Sequence, residues 1–199
     1  MATTEIKNIF LSASIPLPER DAKYIDSADI IAIRDAVIAL TSVVLPKYRL
    51  VWGGHPSITP LVYHVCQKMN IDIQEHVHLY QSKFFEKFYP EDNNKFKNVT
   101  LTDVRGDKDE SLKFMREEML GSGDFYAGVF IGGMDGVEDE YKMFRKAHPE
   151  ALIIPLASTG AAAKIIFDSF EPREQMDERF LKDYSYTSLF HTLLIDKID

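Results

Sequence analysis

Six short apolar runs recur along the chain, and nearly every one stops at a glycine or hydroxyl residue before a helical pattern begins. The runs are Ile9-Phe10-Leu11, then residues 48–52, 77–80, 99–104, 126–131 and 152–156. A strand covered on both faces reads as an unbroken apolar run, whereas a strand with one wet face alternates. Between the runs lie stripes at helical spacing: Ile30, Ile33, Val37, Leu40 and Val44; Ile58, Leu61, Val62, Val65 and Met69. Further on come Leu112, Met115 and Met119, and then Val137, Tyr141 and Phe144. A last helix of the series opens at Ser158-Thr159-Gly160. Repeated strand–helix units of this kind predict an α/β protein: a Rossmann-like parallel sheet with helices on both faces. No repeat or low-complexity linker divides it. Residues 1–170 are expected to form one domain, and residues 171–199, charged and then aromatic, a helical extension packed upon it.

Composition narrows the class. At 199 residues and 45% hydrophobic the chain can bury a full core without staples. Its single cysteine, Cys66, rules out an internal disulfide or a cysteine zinc cage, and sits in an apolar stripe as an inert core thiol. The net charge of −8 argues against nucleic acid, which needs a basic face to displace counterions. The most apolar stretch, residues 28–45, is interrupted by Asp29, Arg34 and Asp35 and so is not a membrane span. Residues 1–7 mix charges without the apolar core of a signal peptide, so a cytoplasmic location is expected.

In an open parallel sheet, ligands bind beyond the carboxyl ends of the strands. The residues to read are therefore Ser12 and Ser14; Gly53, Gly54 and His55; Gln81 and Ser82; Gly132, Gly133, Met134, Asp135 and Gly136; and Ser158, Thr159 and Gly160. Small residues there let the backbone approach a ligand, with the positive end of a helix behind the N–H groups. That favours a small anionic ligand, although glycine in a tight turn also answers a purely steric need. Glu140 falls on the inward stripe of its helix, where a carboxylate needs a partner or a task. Glu138 and Asp139 read instead as solvent-side acids complementing the helix dipole. Arg116, between Leu112 and Leu120, leans its stem toward the core, as a structural ion pair or as a phosphate ligand.

The run from Ser111 to Glu140, with Arg116, Gly132-Gly133 and Gly136-Val137-Glu138-Asp139-Glu140, resembles the SLOG superfamily. That superfamily joins the LOG-type nucleoside-monophosphate phosphoribohydrolases to the DprA proteins. The hydrolases carry an arginine-bearing helix followed by a Pro-Gly-Gly-x-Gly-Thr-x-x-Glu loop, and their arginine and last glutamate are the catalytic pair. Arg116 and Glu140 stand at the matching places, the second after a one-residue insertion. Ile131 replaces the proline, Val137 the threonine, Glu117 a lysine and Phe114 a histidine. The segments 10–16, 53–58 and 132–137 are more similar to SLOG domains of bacterial antiphage and nucleotide-signalling systems, such as the Thoeris effector ligand-binding domain.

The resemblance implies that Ser12, Gly53, Gly54, Gly132, Gly133, Ser158 and Thr159 contact phosphate or ribose, and that Arg116 and Glu140 reach the sugar and phosphate. It implies a homo-oligomer, with a TIR or other defence effector as partner. Three functions stay open. The chain senses an NAD- or ADP-ribose-type signal in antiphage defence; or it cleaves the N-glycosidic bond of a nucleoside monophosphate, with Glu140 and Arg116 catalytic; or it is an assembly module with a vestigial pocket. No cofactor is implied, and His76 and His78 lack a third ligand for a metal. Phe84, Phe85, Phe88 and Tyr89 could stack on a base, but their pattern fits core or subunit interface better. Asp107 to Glu110 reads as an acidic helix start.

Overall fold

A computed structural model describes residues 6–69, 75–172 and 176–196. Its centre is a six-stranded sheet, all parallel, in the order β4-β3-β2-β1-β5-β6. The strands are β1 (Asn8–Ser14), β2 (Arg49–Gly53), β3 (Val77–Ser82), β4 (Val99–Thr102), β5 (Phe125–Gly132) and β6 (Leu152–Leu156). Each coincides with one of the apolar runs. The fourth is shorter than its run, because Asp103 turns out to meet Lys83 and Val104 is half exposed.

Strand alternation assigns the two faces. Ile9 and Leu11 of β1 join one apolar cluster, and Phe10 between them joins the other. The first cluster is covered by α2 (Ile30–Val44) and α3 (Thr59–Met69). The C-terminal elements α7 (Arg179–Lys182), α8 (Tyr186–Phe190) and a π-helical turn (His191–Ile195) add Phe180, Phe190 and Leu194 to it. The opposite face is covered by α4 (Lys108–Leu120), α5 (Asp135–Ala147) and α6 (Ala161–Asp168). There Phe10 stacks on Phe144 of α5 at 5.2 Å, and Phe130 closes the cluster edge-on. Fully burying a phenyl ring contributes roughly 1.5–3 kcal/mol, so these three rings fix α5 firmly against β1 and β5. Ile30 departs from its expected inward stripe. It occupies the first position of α2, beyond the sheet, and is 49% exposed.

Aspartates cap the starts of α2 and α4. Asp29 accepts from the Ala32 N–H, and Asp107 from those of Asp109 and Glu110, which accounts for the acidic run there. A short helix, α1 (Ala22–Ile25), lies between β1 and α2. No helix among the described residues is long and apolar enough to cross a membrane.

The strand order has one consequence for function. The chain lays β2, β3 and β4 successively to one side of β1, then returns to place β5 on the other side. At that reversal the flanking connections leave in opposite directions and open a crevice beyond the carboxyl ends of β1 and β5.

Candidate functional site

A cavity of about 380 Å³ occupies that crevice. Its floor is formed by Ser14, Gly53, Gly54, His55 and Gln81 at the ends of β1, β2 and β3. One wall is α4, with Lys108, Met115 and Arg116; another is the start of α5, with Met134, Gly136 and Glu140. Phe85, Phe88, Tyr89 and Pro90 make the third side, and Arg20 stands at the entrance. A broader depression between α2 and the C-terminal helices is lined by Asp35, Tyr184, Tyr186 and His191 and gathers none of the strand-end residues.

Arg116 and Glu140 meet on the cavity wall. Arg116 Nε donates to Glu140 Oε1 at 3.1 Å, and its Nη2 donates to the Gly136 carbonyl at 3.3 Å. Their side chains are only 12% and 15% exposed, so this is a screened pair and not a surface contact. The other carboxylate oxygen, Oε2, accepts from Ser12 Oγ at 2.5 Å. Both ends of the carboxylate are thereby held, from β1 beneath and from α4 beside. Gly136 permits the crossing, since a Cβ there would lie 2.9 Å from Arg116 Nη2. Asp139 sits 3.8 Å from Arg116 Nη1 and is more than half exposed.

The first turn of α5 has no side-chain cap. Its Asp135 and Gly136 N–H groups have no intrahelical acceptor, and both residues border the cavity. That is the standard arrangement for holding an anion.

Nine of the fourteen expected binding residues line the cavity: Ser14, Gly53, Gly54, His55, Gln81, Arg116, Met134, Gly136 and Glu140. Five do not. Ser12 lies just beneath it, bonded to Glu140. Gly132 and Gly133 form the bend itself: both have left-handed φ, +54° and +87°, and their N–H groups go to Thr159 Oγ1 and the Ser14 carbonyl. A Cβ on Gly133 would come within 2.3 Å of Val137, so this pair serves the turn. Thr159 also donates to the Leu156 carbonyl, at 2.6 Å. The Ser158 hydroxyl lies 3.0 Å from Tyr186 Oη, whose pKa burial pushes up to about 12. Both hydroxyls at the end of β6 are thus engaged within the fold.

His55 Nδ1 lies 2.8 Å from Ser57 Oγ, which also accepts from the Ile15 N–H and so ties the β1 and β2 loops together. Burial lowers the His55 pKa, leaving a neutral ring on the cavity floor at pH 7. Glu138 differs from its expected solvent-side role. It accepts from Tyr24 Oη at 2.6 Å and from Lys23, clamping α1 onto α5. Burial, and then the bond to Glu138, raise the Tyr24 pKa. Phe85, Phe88 and Tyr89 lie on the cavity wall, where core or interface had been the expectation. Arg20 and Lys108 carried no periodic or motif signal in the sequence, because each lies just outside a regular element or at its first residue.

The histidines of the third strand region are engaged elsewhere. His76 Nδ1 faces the Tyr48 carbonyl and His78 Nε2 faces Thr100 Oγ1. Among the described residues no group of three or more His, Cys, Asp or Glu side chains could hold a metal ion.

A profile of the SLOG cluster3 family matches residues 23–194, which includes the switch-point helices and the C-terminal elements. The chain belongs to the SLOG cluster3 family. No curated protein matches this SLOG chain. Among solved structures, the X-ray structure of TM1055, a structural-genomics target, aligns with a TM-score of 0.58. The alignment covers 88% of this chain and 89% of that one at 16% identity, a likeness of fold.

Proposed function

We propose that the cavity binds a nucleotide-derived signal of the NAD or ADP-ribose type, and that the chain is the sensing domain of a bacterial antiphage system. The position of the cavity carries the binding reading. It lies at the switch point, where uncapped helix N–H groups, Arg116 and an aromatic wall converge on one space. Its volume of about 380 Å³ suits a mononucleotide-sized group. The α5 N–H groups would take a phosphate, and Glu140, fixed by Ser12 and Arg116, would accept ribose hydroxyls. The likeness of segments 10–16, 53–58 and 132–137 to SLOG domains of defence systems supports the pathway. In this reading the bound domain acts as a homo-oligomer and signals to a TIR or other effector.

A second reading is favoured by the pairing of Arg116 with Glu140 on the cavity wall. A carboxylate beside a ribose could stabilise oxocarbenium-like charge while water cleaves the N-glycosidic bond, as in glycoside hydrolysis. Against it, each Glu140 oxygen already accepts a hydrogen bond, which favours orienting a ligand over activating water.

One experiment separates the readings. The chain is incubated with AMP, ADP-ribose and cyclic ADP-ribose isomers, and both thermal stabilisation and released free base are recorded. A ligand at a hundred times its Kd stabilises by about 2.7 kcal/mol, well within detection. Stabilisation without base release is the expected result. Base release that vanishes in Glu140→Ala would establish the hydrolase instead, and neither signal would leave an assembly module with a vestigial pocket.

A further inference from the structure

Gln81 is 4% exposed, yet its side-chain amide has no hydrogen-bond partner among the described residues and borders the cavity. An amide without a protein partner on the wall of a cavity keeps both its donor and its acceptor for whatever enters that space. Its placement is built into the chain. Gln81 is on β3, and its amide lies where a side chain at position 54 would be: a Cβ on Gly54 would come within 1.8 Å of Gln81 Nε2. Gly54 is bare at the one point where the amide reaches the cavity floor.

Beside it stands the aromatic wall. A 3₁₀ segment (Lys83–Phe88) follows β3 directly, with Ser82 Oγ accepting from the Phe84 N–H. Tyr89 Oη donates to the Ser82 carbonyl at 2.7 Å, which closes the segment into a fixed loop. The Phe84 and Phe85 rings meet edge-on at 5.2 Å. Phe88 is 72% exposed while bordering the cavity, so packing in the core does not explain it. Flat apolar rings beside a carboxamide match a planar heteroaromatic ring that presents a hydrogen-bond donor next to an acceptor.

Resting on the binding reading above, we infer that Gln81, Phe85, Phe88 and Tyr89 form a ring-recognition subsite, distinct from the Arg116–Glu140–Ser12 group that takes the sugar phosphate. The rings stack on the ligand's base, and the Gln81 amide pairs with its polar edge. Two rings share this chemistry: an adenine, with its amino group beside a ring nitrogen, and a nicotinamide, with its own carboxamide.

The test uses the full chain and three probes: AMP, nicotinamide mononucleotide and ribose 5-phosphate, titrated calorimetrically against wild type, Gln81→Leu and Phe88→Ala. Phe88 is exposed, so its variant folds even if Gln81→Leu does not. AMP or nicotinamide mononucleotide is expected to bind wild type at least about tenfold tighter than ribose 5-phosphate, the stronger one naming the ring. Each variant should lose that advantage, by about tenfold, while ribose 5-phosphate affinity is unchanged. Variants that bind the nucleotide like wild type, or that weaken all three probes equally, would overturn the subsite and leave the binding reading standing. Failure of all three probes to bind wild type would overturn both.

Discussion

The carboxyl ends of β1 and β6 look alike in sequence and behave differently. Each finishes in two hydroxyl residues, Ser12 with Ser14 and Ser158 with Thr159, and all four are buried. At β1, Ser14 borders the cavity and Ser12 holds Glu140 against it. At β6, Ser158 meets Tyr186, and Thr159 joins the Gly132 N–H to the Leu156 carbonyl. The surroundings of each strand end make the difference. β1 is at the reversal of strand order, where neighbouring connections diverge; β6 is the sheet edge, where the C-terminal helices close over the strand end. Hydroxyl residues at a strand end come to border or support a cavity only where the topology leaves room for one.

The largest predicted effect falls on the β6 side. Gly160 has φ +72°, and a Cβ there would stand 1.7 Å from the Ser27 carbonyl oxygen, a backbone atom. Gly160→Ala should lose on the order of 3 kcal/mol in urea unfolding. A loss below about 1 kcal/mol would show that this end is looser than the contrast requires.

A paired substitution probes the contrast directly. Thr159→Val leaves the Gly132 N–H buried without an acceptor and should cost about 1–3 kcal/mol of stability, with nucleotide affinity changed less than about threefold. Ser12→Ala should cost only about 1 kcal/mol but reduce nucleotide affinity about tenfold, because Glu140 loses the bond that orients it. If Thr159→Val harms binding more than Ser12→Ala, the division between the two ends collapses.

The smallest effect is a pH slope. Burial holds the His55 pKa below its ordinary value of 6.5, so between the two values the unfolded chain binds a proton that the folded one does not. Stability should be complete above that ordinary value and fall as pH drops below it, until the folded ring itself protonates. His55→Asn should flatten this slope in melts between pH 7.5 and 5.5. His78, also lowered, by burial and by Arg49, retains its own part. A variant slope as steep as wild type would place the titration elsewhere.

Much of this was legible in the chain itself. The strands other than the partly exposed β4 were visible because each is covered on both faces and is therefore largely apolar, and Glu140 stood out as a charge on a buried stripe. The partners of Glu140 were less accessible. Ser12 is 128 residues away, and only the return of β5 to the side of β1 brings them together, an order that periodicity does not encode. The Gly132-Gly133 pair was read as a cradle, yet its N–H groups serve the turn, since the same residue answers both needs. Phe85 and Phe88 lie on a 3₁₀ turn and Tyr89 just after it, so the helical and strand periods had nothing to say about where they face.

Placing β1 at the middle of the sheet also governs when the cavity can come into being. Asn8 pairs with Phe125 and Ser14 with Gly132, so the central seam joins segments more than a hundred residues apart. Closing such a loop is entropically slow compared with laying β1 beside β2. During synthesis the first four strands can associate early, but the crevice has no second bank until the fifth has emerged. The crevice therefore exists only on a chain that has already joined β5 to β1, which makes its formation a late event on the folding route.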